Sequence, residues 1–132
     1  MRPSSREPVF QFSEAEVLER SPLAKEFLER RAKENQAVDR ADNKLLKRIY
    51  NVDHNTYLEG ELSAKTKELM GLVASATLRC DDCISYHVIQ AFRLGSSKAE
   101  LEESLNVATV VGGTIVIPHL RRAYQLLEEL YA

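Results

Sequence analysis

Two cysteines and a histidine fall within the stretch RCDDCISYH, residues 79–87, and the chain has no other cysteine. On a helix rising 1.5 Å per residue, positions three and four apart share a face, with Cα atoms roughly 5 and 6 Å apart. Cys80, Cys83 and His87 therefore line one face if a helix begins at or just before Cys80. The cysteine spacing lies inside the ~4.4–6.8 Å Cα window of a disulfide, so reversible bridging is allowed without unwinding. Unpaired N–H donors at a helix N-terminus stabilise a thiolate and lower a thiol from its free value of ~8.5. A histidine one turn later can take the thiol proton. Asp81 and Asp82, lying between the cysteines, act in the opposite sense, because negative charge beside sulfur disfavours the thiolate.

A metal site is the competing reading. Cys80, Cys83 and His87 supply three ligands, and His119 or Asp82 would have to supply a fourth. A third reading leaves the cysteines as small buried apolar residues. Upstream, Glu68 joins the first reading if its helix turns back antiparallel to the cysteine helix. From a junction near Leu78, Glu68 lies about 15 Å back and His87 about 13 Å on, close enough to meet. Taken alone, Glu68 reads as solvated helix surface.

The elements that must position these residues are helical almost throughout. Residues 1–12, with Pro3 and Pro8, read as an extended arm, and the arm is taken to residue 20. Ser21 followed by Pro22 opens a helix expected to end near Gln36. A second carries Leu45, Leu46, Ile49 and Tyr50 on one face and fades near Asn51–Asn55. The chain breaks at Gly60, and Ser63 caps a helix with Leu69, Met70, Val73 and Ala76 as its apolar positions. That helix ends or bends between Leu78 and Asp82. The next carries Ile84, Val88, Ala91 and Phe92 and stops at Gly95. Ser97 with Glu100 forms a capping box for a helix over Lys98–Val111. Gly112-Gly113 breaks it, and a last helix carries Leu120, Ala123, Tyr124, Leu127 and Leu130, with Pro118 in its first turn. The expectation is an all-α, single-domain bundle of about six helices over 1–132. It divides into an arm (1–20), N-terminal helices (21–56) and a core with the CxxC at a helix N-terminus (57–132).

Composition narrows the function classes. The chain has 132 residues, 44% of them hydrophobic, enough for one core. Eighteen Lys and Arg against 20 Asp and Glu, interspersed, form no basic stripe, so nucleic acid is not an expected partner. The apolar run Val107–Ile117 is interrupted and falls short of the ~20 residues of a spanning helix. No export signal is visible at the N-terminus, and a cytoplasmic location is expected. In a reducing compartment a close cysteine pair is more often catalytic or metal-binding than a permanent crosslink.

Lys67-Glu68-Leu69, then Cys80-x-x-Cys83-x-x-x-His87, then Leu94-Gly95 with a following Ser, then Gly112-Gly113 resembles the alkylhydroperoxidase D (AhpD-like) branch of the carboxymuconolactone decarboxylase superfamily. The resemblance covers roughly residues 57–125. It implies an all-helical fold and a thiol-dependent peroxidase or disulfide oxidoreductase that reduces hydroperoxides. Cys83 would be the attacking thiol and Cys80 the resolving one, with Glu68 and His87 as the proton relay. It further implies no cofactor or resident metal, and a dithiol reductant protein, lipoyl- or thioredoxin-like, as partner. The better-known peroxidase members carry a histidine where this chain has Asp82. The alternatives are a redox-sensing or metal-binding assembly protein without turnover and, further off, lactone chemistry of the decarboxylase branch.

Val107, Val110, Val111, Ile115, Val116 and Ile117 present more apolar surface than a small bundle readily buries. A homo-oligomer is expected, and the resemblance implies a trimer or hexamer.

Overall fold

A computed structural model describes residues 6–132; Pro3 and the start of the expected arm lie outside the described residues. Seven α-helices follow one another: α1 (Glu14–Arg20), α2 (Pro22–Ala41), α3 (Lys44–Thr56), α4 (Ala64–Thr77), α5 (Asp81–Arg93), α6 (Lys98–Gly112) and α7 (Ile117–Leu130), with a 3-10 turn over Thr114–Val116 before the last. Among the described residues no helix is long and apolar enough to cross a membrane. The all-α bundle is as expected, with one helix more than anticipated.

That additional helix corrects the extended arm. Ser13 accepts from the Glu16 N–H and Glu16 bonds back to the Ser13 N–H, a full capping box that starts α1. Seven residues cannot hold a helix alone in water. This one is held by Val17, fully buried, and by the preceding strand of chain, whose Gln11 and Phe12 N–H groups both donate to Arg93 O. Phe12 stacks on Phe92 with ring centroids 4.5 Å apart. The second correction is length. α2 runs past Gln36 to Ala41, where Asp42 in the left-handed region ends it. Only Ala24 and Phe27 of α2 are buried, so its second half projects from the bundle.

α4, α5 and α6 form the centre, with α7 and α2 packed along α5. Leu72, Val88, Ile89, Phe92, Leu101, Leu105 and Leu127 are all at most 2% exposed and belong to one core. Each such burial contributes about 1.5–3 kcal/mol before conformational entropy is counted. The inward face of α4 is only partly the one expected: Ala76 is buried and Leu69 and Val73 pack against the core as anticipated. Ala64, Glu68, Leu72 and Ala76 face the core, whereas Met70 is 55% exposed. α3 buries no residue, so the expected apolar face of Leu45, Ile49 and Tyr50 stands in solvent.

α5 ends as expected at Gly95. The Ser96 N–H donates to Ala91 O and the Gly95 N–H to Phe92 O, with Gly95 at φ +88. These are the two bonds of a Schellman cap. A Cβ at Gly95 would collide with the Gln11 side chain as well as strain the backbone. Gly95→Ala is therefore expected to destabilise the fold by about 1–2 kcal/mol in urea denaturation. An unchanged midpoint would show that the cap contributes nothing.

Candidate functional site

The turn between α4 and α5 builds the site. Leu78 closes α4, Arg79 takes a left-handed conformation at φ +62, and Cys80 becomes the N-cap of α5. A non-glycine residue in that region costs about 1–2 kcal/mol, which the packing of two long helices offsets. Cys80 Sγ accepts from the Cys83 N–H at 3.2 Å, occupying a donor that a Ser or Asp cap would normally satisfy. The two cysteines are joined by a disulfide, with Cα atoms 5.3 Å apart. Cys80 therefore lies just outside the helix and Cys83 in its first turn. Cys83 is exposed and Cys80 half-buried.

One turn further along, His87 is buried, and its Nδ1 lies 2.7 Å from Glu68 Oε1. Glu68 is 3% exposed. The antiparallel return of α4 against α5 brings the two together across 19 residues, as the helix arithmetic requires. A carboxylate accepts, so the Nδ1–H donates to Glu68 and Nε2 is the ring's second proton site. Nε2 and Cε1 lie over Gly71: a Cβ there would be 2.8 and 2.7 Å from them, and 2.8 Å from Tyr57 Oη. Gly71 is the gap in α4 that accommodates the imidazole. Its signal in the sequence is a glycine in mid-helix, which costs about 1 kcal/mol relative to Ala and so calls for a packing reason.

Glu68 also lines a cavity of about 510 Å³ between α2, α3, α4, α5 and the chain before α1. Tyr57, Tyr86, Leu58, Leu94 and Phe10 give it an apolar and aromatic wall, and Arg31, Asn35 and Gln90 are polar points on its rim. Glu68 thus meets both His87, through Oε1, and the cavity wall. Burial, and next the Glu68 carboxylate, push the Tyr57 and Tyr86 phenols above their usual range. Both remain protonated donors at neutral pH. Arg31 sits 4.5 Å above the Tyr86 ring.

The remaining histidines are placed elsewhere. His54 Nε2 meets Glu7 at 3.3 Å on the surface, and His119 Nδ1 meets Asp81 Oδ1 at 2.8 Å. His119 thus holds a carboxylate between the cysteines and does not complete a ligand set. Among the described residues no His, Cys, Asp or Glu group is arranged to hold a metal ion.

The fold and this arrangement place the molecule among helical proteins with a disulfide-capable cysteine pair at a helix boundary. Residues 43–126 match the carboxymuconolactone decarboxylase family, and the chain belongs to that family. Two crystal structures of a Thermotoga maritima protein are similar. The first has a TM-score of 0.78 and 52% identity, covering 81% of this chain and 94% of that one. The second has a TM-score of 0.76 and 53% identity, covering 80% and 90%, and is described as a carboxymuconolactone decarboxylase family protein with a suggested involvement in antioxidative response. A Legionella pneumophila family protein in its apo form shares the fold at 23% identity and a TM-score of 0.70, over 84% of this chain and 96% of that one. Among curated relatives, an uncharacterized Cupriavidus necator protein is 34% identical over 55 residues, 42% of this chain. The chain spans about half of that protein's length, 49%. An uncharacterized protein of the Paracoccus denitrificans cox locus is 27% identical over 74 residues, 56% of this chain and 67% of its own.

Gly71→Ala tests the packing of the pair. Helix propensity alone favours Ala by about 1 kcal/mol, whereas overpacking costs about 1–3. The clash with His87 is expected to win, with a net loss of stability and a shifted His87 imidazole ¹⁵N resonance. Gly60→Ala is the control, since its Cβ would meet only Lys67 Nζ at 3.5 Å. A stabilised Gly71→Ala protein with an unmoved resonance would mean that the imidazole does not depend on this gap.

Proposed function

We propose that the protein is a thiol-dependent peroxidase and disulfide oxidoreductase of the alkylhydroperoxidase D-like branch. The observation that carries this reading is the buried Glu68–His87 pair set one turn from a cysteine whose partner is already within bridging distance. In the reduced protein the Cys83 thiolate attacks the distal oxygen of a hydroperoxide, the O–O bond breaks, and Cys83 becomes a sulfenic acid. The departing alkoxide takes a proton relayed through His87 and leaves as alcohol. The Cys80 thiolate then attacks the Cys83 sulfur, expelling hydroxide that leaves as water and forming the disulfide. A dithiol protein, lipoyl- or thioredoxin-like, returns the pair to thiols by exchange through a mixed disulfide. The exposure of Cys83 supports exchange with a protein partner, which must reach the sulfur directly. The cavity beside Glu68 is within the usual volume range for ligand sites and supports binding of a small organic group, although neither cysteine lines it. A reducing cytoplasm is the compartment in which such a pair can cycle.

Stopped-flow consumption of cumene hydroperoxide by the reduced protein tests the activity. Cys83→Ser is expected to abolish it, and Glu68→Gln to slow it about 10²-fold by disabling the relay. Equal rates in the native chain and Cys83→Ser would refute the reading.

The same reading includes assembly. Val110 and Val111 are 86% and 69% exposed, and Val107, Ile115 and Ile117 continue the patch. Side chains of this kind in a row are costly in water and suit a chain–chain contact. Light scattering at micromolar concentration is expected to give three or six times the monomer mass; a stable monomer would overturn the assembly.

A further inference from the structure

Asp82 precedes Cys83 directly, and an unpaired carboxylate there would oppose the thiolate. Its oxygens are instead engaged by α2. Arg30 Nη2 lies 2.9 Å from Asp82 Oδ1 and Arg30 Nη1 3.2 Å from Oδ2, a two-point pair. Arg30 is itself steered by Glu34, 3.2 Å from Nη1, and its guanidinium carbon lies 5.7 Å from the Phe27 ring centroid. The Arg30 hydrogen bonds hold the Asp82 carboxyl below its usual range.

The pair is half-exposed, with side-chain accessibilities of 46% and 62%. Screened by water, it contributes little to stability. What it decides is where the carboxylate points. Asp81 is engaged by α7, through His119 at 2.8 Å and Arg122 at 3.6 Å, and Arg122, which shares a small cavity with Arg30 and both aspartates, adds to the lowering of Asp82. The other charged groups of the junction are Arg79 in the turn, Glu26 of α2 on a cavity of about 180 Å³ lined also by both aspartates, and the Glu68–His87 pair on the inner side.

We propose that Arg30 is a positioning residue for the Cys83 thiolate: it draws Asp82 toward α2 and so keeps that carboxylate from opposing the anion that the N-terminus of α5 supports. This rests on Cys83 being the nucleophile, but its test does not require turnover. Arg30 acts through Asp82, and the consequence is a coupling between the two positions in the ionisation of Cys83.

The test is thiolate absorbance at 240 nm against pH, in reduced protein carrying Cys80→Ser. That change leaves a single thiol and keeps a good helix cap. Arg30→Gln is expected to raise the Cys83 pKa by roughly 0.5–1 unit, the size of one nearby charge in a largely aqueous setting. Asp82→Asn is expected to change it by less than Arg30→Gln does, because the carboxylate is already drawn away. In the Asp82→Asn background, Arg30→Gln should produce less than half the shift it produces alone. Circular dichroism establishes that each variant is folded, and should Arg30→Gln fail to fold, Arg30→Lys, which keeps the charge and loses the two-point pair, takes its place, and an Arg30→Lys shift equal with and without Asp82→Asn overturns the proposal. An equal Arg30→Gln shift in both backgrounds would make Arg30 a direct counter-charge and refute the positioning role, as would no shift at all. A normal coupling in a protein without peroxidase activity would sustain this inference while removing the proposed reaction.

Discussion

The hydrogen bond between Glu68 and His87 is the constraint around which the central hairpin is arranged. Each partner is nearly inaccessible to water, and a buried polar group left without its partner costs about 1–3 kcal/mol. The two side chains can meet only if α4 and α5 return on one another at a set register and approach closely. The left-handed residue at Arg79 makes the return short, and the missing side chain at Gly71 makes the approach close. An apolar contact would tolerate a slide of an ångström or more, whereas a 2.7 Å bond does not. The geometry of the cysteine helix relative to its neighbour is thus set by a polar pair inside an otherwise apolar crossing.

Around that inner pair, the outer face of the cysteine turn is arranged by charge. α2 engages one aspartate and α7 the other, so the first turn of α5 is tied to two neighbouring helices that also pack on each other. Arg30 lies outside the segment that matches the family, residues 43–126, and α7 contributes its part from near the end of it. The N-terminal helices are therefore more than an appendage to the family core. They place a cation beside the cysteine turn and, with α3, form one wall of the cavity that Glu68 lines.

Much of this was legible in the sequence because it depends on local rules. Capping residues at Ser21, Ser63 and Ser97, the glycine stop at Gly95 and the three-residue spacing of Cys80 and Cys83 act within one or two turns, and each behaves in the structure as its chemistry requires. The short helix α1 was missed because its propensity is insufficient by itself and its support comes from Arg93 and Phe92, some eighty residues away. The inward face of α4 was read only in part: Leu69, Val73 and Ala76 do pack on the core, but Met70 does not, and the row through Glu68 was passed over because a glutamate replaces an apolar residue in it. Ala64, Leu72 and Ala76, at four-residue steps on either side of Glu68, were the available sign that this carboxylate points inward.

By itself, then, the sequence determined that the chain is helical, that Cys83 and His87 fall one turn apart on one helix, and that the two thiols lie within bridging distance, since a helix and its cap convert spacing directly into geometry. Only the tertiary structure decided that Glu68 is buried against His87, that the imidazole rests over Gly71, and that Arg30 and His119 divide the two aspartates between them. Each of those contacts joins residues from different helices. Its distance depends on how helices pack, and packing is the sum of many small apolar contacts that no single stretch of sequence contains.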